Sequence, residues 1–181
     1  GQHRLTACVR AQKPIETLIA RNIPDHALKT IDSGRSRTGT DMAIMHGFTR
    51  EQARTADTAI KWNYRYLNGG LNHGTASNRY IYEELQENKE IIKSVEYVLQ
   101  FPYKYRVVKA GILAFIHYIA KQSDTKDANE FIERLMHGDQ LHRESPIYIL
   151  REILTNQDKE NYKLNIVEKV ATIINAWNNF R

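Results

Sequence analysis

The residues with the clearest chemical capacity open the chain as Gly1-Gln2-His3-Arg4. At a helix start the first backbone N–H groups lack intrahelical partners and the helix dipole is positive. With Gly1 and Gln2 leaving those amides open and His3 and Arg4 in the same turn, the position suits an anion, a phosphate above all. A second group is the basic loop Gly34-Arg35-Ser36-Arg37-Thr38-Gly39. Two guanidiniums one residue apart, with hydroxyls beside them, can surround a phosphate with charge-assisted hydrogen bonds, and the flanking glycines let backbone approach closely. The expected phosphate- or nucleotide-binding set is therefore Gly1, Gln2, His3, Arg4, Arg35, Ser36 and Arg37. For the loop, a solvated turn whose arginines pair with helix carboxylates competes on equal terms.

Trp62, Tyr64, Tyr66 and Tyr80, interspersed with Lys61, Arg65 and Arg79, have the composition of a surface that stacks the bases of single-stranded nucleic acid. Together with the loop they give a nucleic-acid-binding set of Arg35, Arg37, Lys61, Arg65 and Arg79. A helical core whose Tyr hydroxyls reach water is the commoner use of such a series, and it is preferred. His26, His46, His73, His117, His137 and His142 lack the His-Glu-x-x-His spacing of a metal site, and His117, inside an apolar helix, needs only one hydrogen-bond partner. Glu83, Glu84, Glu87 and Glu90 read as one solvated acidic helix face balancing Lys89 and Lys93. No P-loop, Ser-His-Asp set or paired-carboxylate motif can be placed, so no catalytic residue and no metal ligand are assigned, and an enzyme is not favoured.

Charge supports a phosphate-bearing partner. Net charge is +5; residues 1–78 hold 11 Lys and Arg against 6 Asp and Glu, and residues 79–181 hold 15 of each, so the excess lies wholly in the front of the chain. The 181 residues are enough for one ordinary domain or two small ones. Cys8 is the single cysteine, which excludes an internal disulfide framework and leans toward a cytoplasmic location. The longest apolar runs fall far short of the roughly 18 residues of a membrane span. The opening residues do not have the pattern of a signal peptide, and they read as the start of an excised piece.

The elements that would carry these groups follow from periodicity. Leu5, Cys8 and Val9 recur at helical spacing up to Lys13-Pro14, where proline disfavours a preceding helical residue. Ile15 to Ala20 reads as a short strand, and Asp25 as the N-cap of a helix through Asp32. A short helix over Asp41 to His46 and a capping box at Thr49-Arg50-Glu51-Gln52, opening a helix to about Leu67, come next. Asn68 to Ser77, with Gly69, Gly70 and Gly74, reads as a linker. Beyond it lie five helical patterns. These contain Ile91 to Leu99, then Val107 to Lys121 as the apolar centre, then Phe131 to Met136, a helix after Ser145-Pro146, and Ile166 to Trp177.

The opening residues also carry a resemblance. Gly1-Gln2-His3-Arg4-Leu5-Thr6-Ala7-Cys8, followed by a helix end, a strand at Ile15 to Ala20 and an acidic-capped helix at Asp25, resembles the back half of the ParB/sulfiredoxin-like domain. In that superfamily a Gly-x-x-Arg signature opens a helix beneath a nucleotide's phosphates, and the strands that precede it are not part of this chain. The resemblance implies CTP or ATP as ligand. In sulfiredoxins the signature reads Gly-Cys-His-Arg, with the cysteine as nucleophile; Gln2 stands there in this chain, which disfavours sulfinic-acid repair, and Cys8 reads as a small buried thiol. In ParB proteins it resembles Gly-Glu-Arg-Arg, and His3 replaces the first arginine. The chain is also similar to uncharacterised phage and prophage proteins. They share a Gly-Gln-His-Arg helix, an Asp-[Ser/Thr]-Gly-Arg loop matched by Asp32-Ser33-Gly34-Arg35, a Ser-Pro segment matched by Ser145-Pro146, and an ending matched by Ala176-Trp177-Asn178.

The sequence thus predicts a mainly α protein. A truncated α/β ParB/sulfiredoxin-like segment with basic loop and helix occupies residues 1–67, a linker 68–78, and a helical bundle 79–181. The expected function is binding of nucleotide or DNA phosphates by a phage or mobile-element protein through its basic front end. The competing expectation is a non-enzymatic helical module that binds a protein partner.

Overall fold

A computed structural model of the chain describes residues 2–19, 21–24, 38–156 and 163–181, with the side chain of residue 2 left aside. It separates into two compact units, Gly1–Ser36 and Arg37–Arg181.

In the first unit α1 spans Gln2–Ala11. It stops where the sequence requires. Pro14 excludes a helical Lys13, and Gln12 adopts φ 50° so that its N–H reaches the Val9 carbonyl at 3.3 Å and the Lys13 N–H reaches that of Cys8 at 3.2 Å. The strand expected over Ile15 to Ala20 is not formed, for residues 13–19 have no regular structure. β-prone residues make a strand only when a neighbour takes their backbone hydrogen bonds, and no strand exists among the described residues to do so. The truncated α/β segment is accordingly not supported. The helix expected from Asp25 to Asp32 lies outside the described residues.

The regular structure described in the second unit is helical: α2 Gly39–Met45, α3 Arg50–Leu67, α4 Asn78–Glu87, α5 Lys89–Leu99, α6 Ala110–Lys121, α7 Thr125–His137, α8 Pro146–Thr155 and α9 Ile166–Phe180. Their starts are written in the sequence. Thr49 accepts from the Gln52 N–H while the Gln52 side chain accepts from Thr49, which is the expected capping box, and Thr38 with Asp41 and Asn165 with Glu168 repeat it. Ser145 caps α8, with Pro146 in its first turn.

α6 is apolar nearly all round, and it sits at the centre. It packs against α3, α5, α7 and α9, burying Ile112, Leu113, Phe115 and Ile116. Gly111 permits the approach to α3, since a Cβ there would stand within 3.0 Å of the Thr58 side chain. α3 thus belongs to the same core as the later helices, and the division of the chain falls at Ser36–Arg37, not in residues 68–78. That glycine-bearing stretch folds back on its own unit. Arg65 donates to the Gly74 carbonyl at 3.3 Å, and Ala76 is buried.

The acidic face expected over Glu83 to Glu90 is split at Asn88, which ends α4 and caps α5. Its Oδ1 accepts from the Ile91 N–H at 3.2 Å, and its Nδ2 donates to Glu84 at 2.8 Å and to the Tyr118 hydroxyl at 3.1 Å. Glu83 and Glu90 consequently serve different helices. The former pairs with Arg79, while the latter meets Lys93 at 2.6 Å and Lys121 of α6 at 3.1 Å.

Candidate functional site

In the first unit α1 presents His3 and Arg4 exposed in its first turn, with no acidic residue there. Helix spacing places His3, Thr6, Ala7, Arg10 and Ala11 on one stripe, and these residues line an open concavity of about 600 Å3. Its polar members are an imidazole, a hydroxyl and a guanidinium, and the alanines keep it clear. Such a lining can donate hydrogen bonds to phosphate oxygens, and among the described residues it holds no carboxylate. Arg4, one residue round the helix from His3, is not part of this lining. Arg10 was not singled out by sequence reasoning, although its i+7 spacing from His3 on a predicted helix was a usable signal. Gly1, Arg35, Ser36 and Arg37 lie outside the described residues, as does Asp32-Ser33-Gly34. Cys8 is partly buried and free.

Of the cations expected to meet nucleic acid, Lys61, Arg65 and Arg79 have partners within the second unit. Lys61 Nζ bonds Asp57 Oδ2 at 2.7 Å, Arg79 Nε bonds Glu83 at 2.8 Å, and the Arg65 guanidinium lies 4.9 Å from the centroid of Trp62. Trp62 itself is core. Tyr64 and Tyr80 meet edge to face at 4.9 Å and pack on that core, and Tyr66 meets buried Phe115 at 5.8 Å. The preferred use of this aromatic series, packing, is the one found. Burial, then the charge of Glu84, pushes the Tyr80 phenol up to about 12.

A polar cluster inside the helices escaped sequence reasoning because its members are far apart along the chain. Tyr97 of α5 donates its hydroxyl to Glu133 Oε1 of α7 at 2.9 Å. Its ring stacks on His117 of α6, centroids 4.4 Å apart. Phe101 meets Tyr97 edge to face at 5.5 Å and His137 at 5.7 Å. Burial first, then the hydrogen bond to Glu133, holds the Tyr97 phenol well above the ordinary range. The cluster therefore stays protonated on Tyr97 at neutral pH and works as a packed hydrogen-bond link between α5 and α7.

Among the described residues no group of three or more His, Cys, Asp and Glu is gathered as a metal ion would require, and no helix is long and apolar enough to cross a membrane. No family model, curated protein or solved structure matches this chain.

Proposed function

We propose that this protein binds phosphate-bearing ligands, nucleotide or DNA, through the basic face of α1, with its helical unit as an interaction module. It would be a phage or mobile-element protein of the sort the Gly1-Gln2-His3-Arg4 signature resembles. The observation that carries the reading is the concavity lined by His3, Thr6 and Arg10, whose polar groups can all donate to an oxyanion. The charge excess of residues 1–78 favours the same class of partner.

Binding of CTP, ATP and duplex DNA, each measured at low and raised salt, tests the reading. Arg10→Ala and His3→Ala are expected to weaken binding by about tenfold each, the worth of a hydrogen bond to a charged group. Arg4→Ala should do less. Duplex affinity should fall steeply with salt, since released counterions drive it. Affinities unchanged by Arg10→Ala and His3→Ala would remove the site.

A second reading, a module that binds a protein partner, is favoured by α8, where Ile149 and Ile153 are exposed one turn apart. If Ile149→Asp abolishes a protein association while Arg10→Ala leaves phosphate binding intact, this second reading prevails.

A further inference from the structure

Between Glu96 and Asp124 the sequence carries no acidic residue, and it holds Lys104, Arg106, Lys109 and Lys121. Inside this stretch, between α5 and α6, a single 3-10 turn spans Tyr103–Tyr105. Tyr103 is 84% exposed, the most open large hydrophobic side chain described in the second unit. Apolar burial cannot account for that placement.

The turn is held firmly despite its exposure. Arg106, its side chain only 8% exposed, reaches back across the loop. Its Nε and Nη2 donate to the Phe101 carbonyl at 3.1 and 2.8 Å, and its Nη1 bonds Glu51 Oε1 of α3 at 3.0 Å. The guanidinium thus ties the end of the loop to its beginning and to the first turn of α3. The Tyr105 N–H bonds the Pro102 carbonyl at 3.0 Å, and the Arg106 N–H bonds that of Tyr103 at 3.0 Å. Within the turn, Lys104 Nζ lies 4.8 Å from the Tyr105 ring centroid, and His137 meets the same ring at 5.2 Å. Tyr105 is therefore engaged, and Tyr103 is the aromatic left open.

We propose that this turn is a contact for single-stranded nucleic acid, with a base stacking on Tyr103 and the exposed Lys104 and Lys109 meeting the adjoining phosphates. Every base offers a flat π-face, and an aromatic beside cations is the pairing that such a strand uses. An apolar protein partner is matched less well, because Lys104, next to Tyr103 in the chain, and Lys109 are both exposed cations. A pre-formed turn also lowers the ordering cost of binding. The contact is built from residues of the second unit, and the α1 concavity is described from residues of the first.

The test is fluorescence anisotropy of the full chain with a labelled oligothymidylate of about 15 nucleotides, against a duplex of the same length. Wild type should bind the single strand more tightly than the duplex. Tyr103→Ala should lose roughly 5- to 100-fold, the usual worth of one stacked base. Tyr103→Phe should bind as wild type does, and Lys104→Gln should weaken binding and reduce its salt slope by about one ion. Tyr103→Ala should leave CTP and ATP binding at α1 unchanged, which separates this contact from the one on α1. No binding of the single strand by wild type, equal affinity of Tyr103→Ala and wild type for it, or an equal loss of ATP binding in Tyr103→Ala would each overturn the proposal. Since Tyr103 is so exposed, its substitution should not alter the helical circular dichroism.

Discussion

His117 and Asn129 meet inside the helical unit, with the imidazole Nε2 2.8 Å from the amide Oδ1, while Nδ1 of the same ring is buried without a hydrogen-bond partner. Facing a carbonyl oxygen, Nε2 carries the proton and Nδ1 keeps a lone pair. Adding a second proton would bury an unpaired N–H and a net charge in a ring that is only 2% exposed. Burial accordingly lowers the His117 pKa, the nearby positive Lys121 lowers it further, and the Asn129 hydrogen bond opposes them.

A pH dependence of stability follows. With its folded pKa below the unfolded value of 6.5, His117 takes up a proton more readily in the unfolded chain. Its contribution is complete above about pH 6.5 and is lost as pH falls from there toward the folded pKa, with a slope no steeper than about 1.4 kcal/mol per pH unit. Urea unfolding of wild type and His117→Phe between neutral and mildly acidic pH checks this. The variant should be less stable at neutral pH, since Asn129 loses its partner, yet flatter toward acid. Parallel curves would show that His117 does not titrate differently on folding.

Gly111 lies where α6 presses on α3, and its would-be Cβ meets Thr58 Cβ and Cγ2 and comes within 3.0 Å of the Thr55 carbonyl oxygen. Because helix propensity alone favours alanine over glycine, the ordinary expectation for Gly111→Ala is a gain of about 1 kcal/mol. Packing should reverse that sign. Backbone and a β-branched residue inside a helix cannot swing aside, so overpacking should cost about 1–3 kcal/mol, read as a lowered urea midpoint. Pairing it with Thr58→Ala should recover much of the loss, because the two sites share one contact.

Local chemistry explains what the sequence made legible. Thr49 with Gln52, Ser145 before Pro146, and proline after Lys13 act within a turn of themselves, so the ends of α1, α3 and α8 can be read directly. The apolar character of Ile112 to Ile119 likewise places α6 at the centre before any contact is known. Ile15 to Ile19 misleads because strand propensity describes a residue's fit to a neighbouring strand, and none exists there among the described residues. Asn88 misleads differently, since one side chain ends α4 and starts α5 within a run whose charges look continuous. The Tyr97, His117 and Asn129 cluster has no local signature at all. His117 and Asn129 stand 12 residues apart and Tyr97 and Glu133 36, so only tertiary packing joins them.

Arg106 offers the sharpest division between a buried charge and an exposed one. Its guanidinium satisfies the Phe101 carbonyl with two donors and meets Glu51, whose own side chain is mostly in water. Arg106→Met keeps most of the apolar stem and removes the whole fork, which should cost about 1–3 kcal/mol and loosen the turn at Tyr103–Tyr105. Glu51→Gln should cost less than about 1 kcal/mol, since an exposed partner adds little. Arg106→Lys should fail to restore stability, because a single ammonium cannot reproduce the planar fork spanning Phe101 and Glu51. Urea midpoints rank the three variants, and the rate of tryptic cleavage after Lys104 reports local opening of the turn. A midpoint for Glu51→Gln as low as that of Arg106→Met would place the strength of the clamp in the ion pair and not in the Phe101 carbonyl.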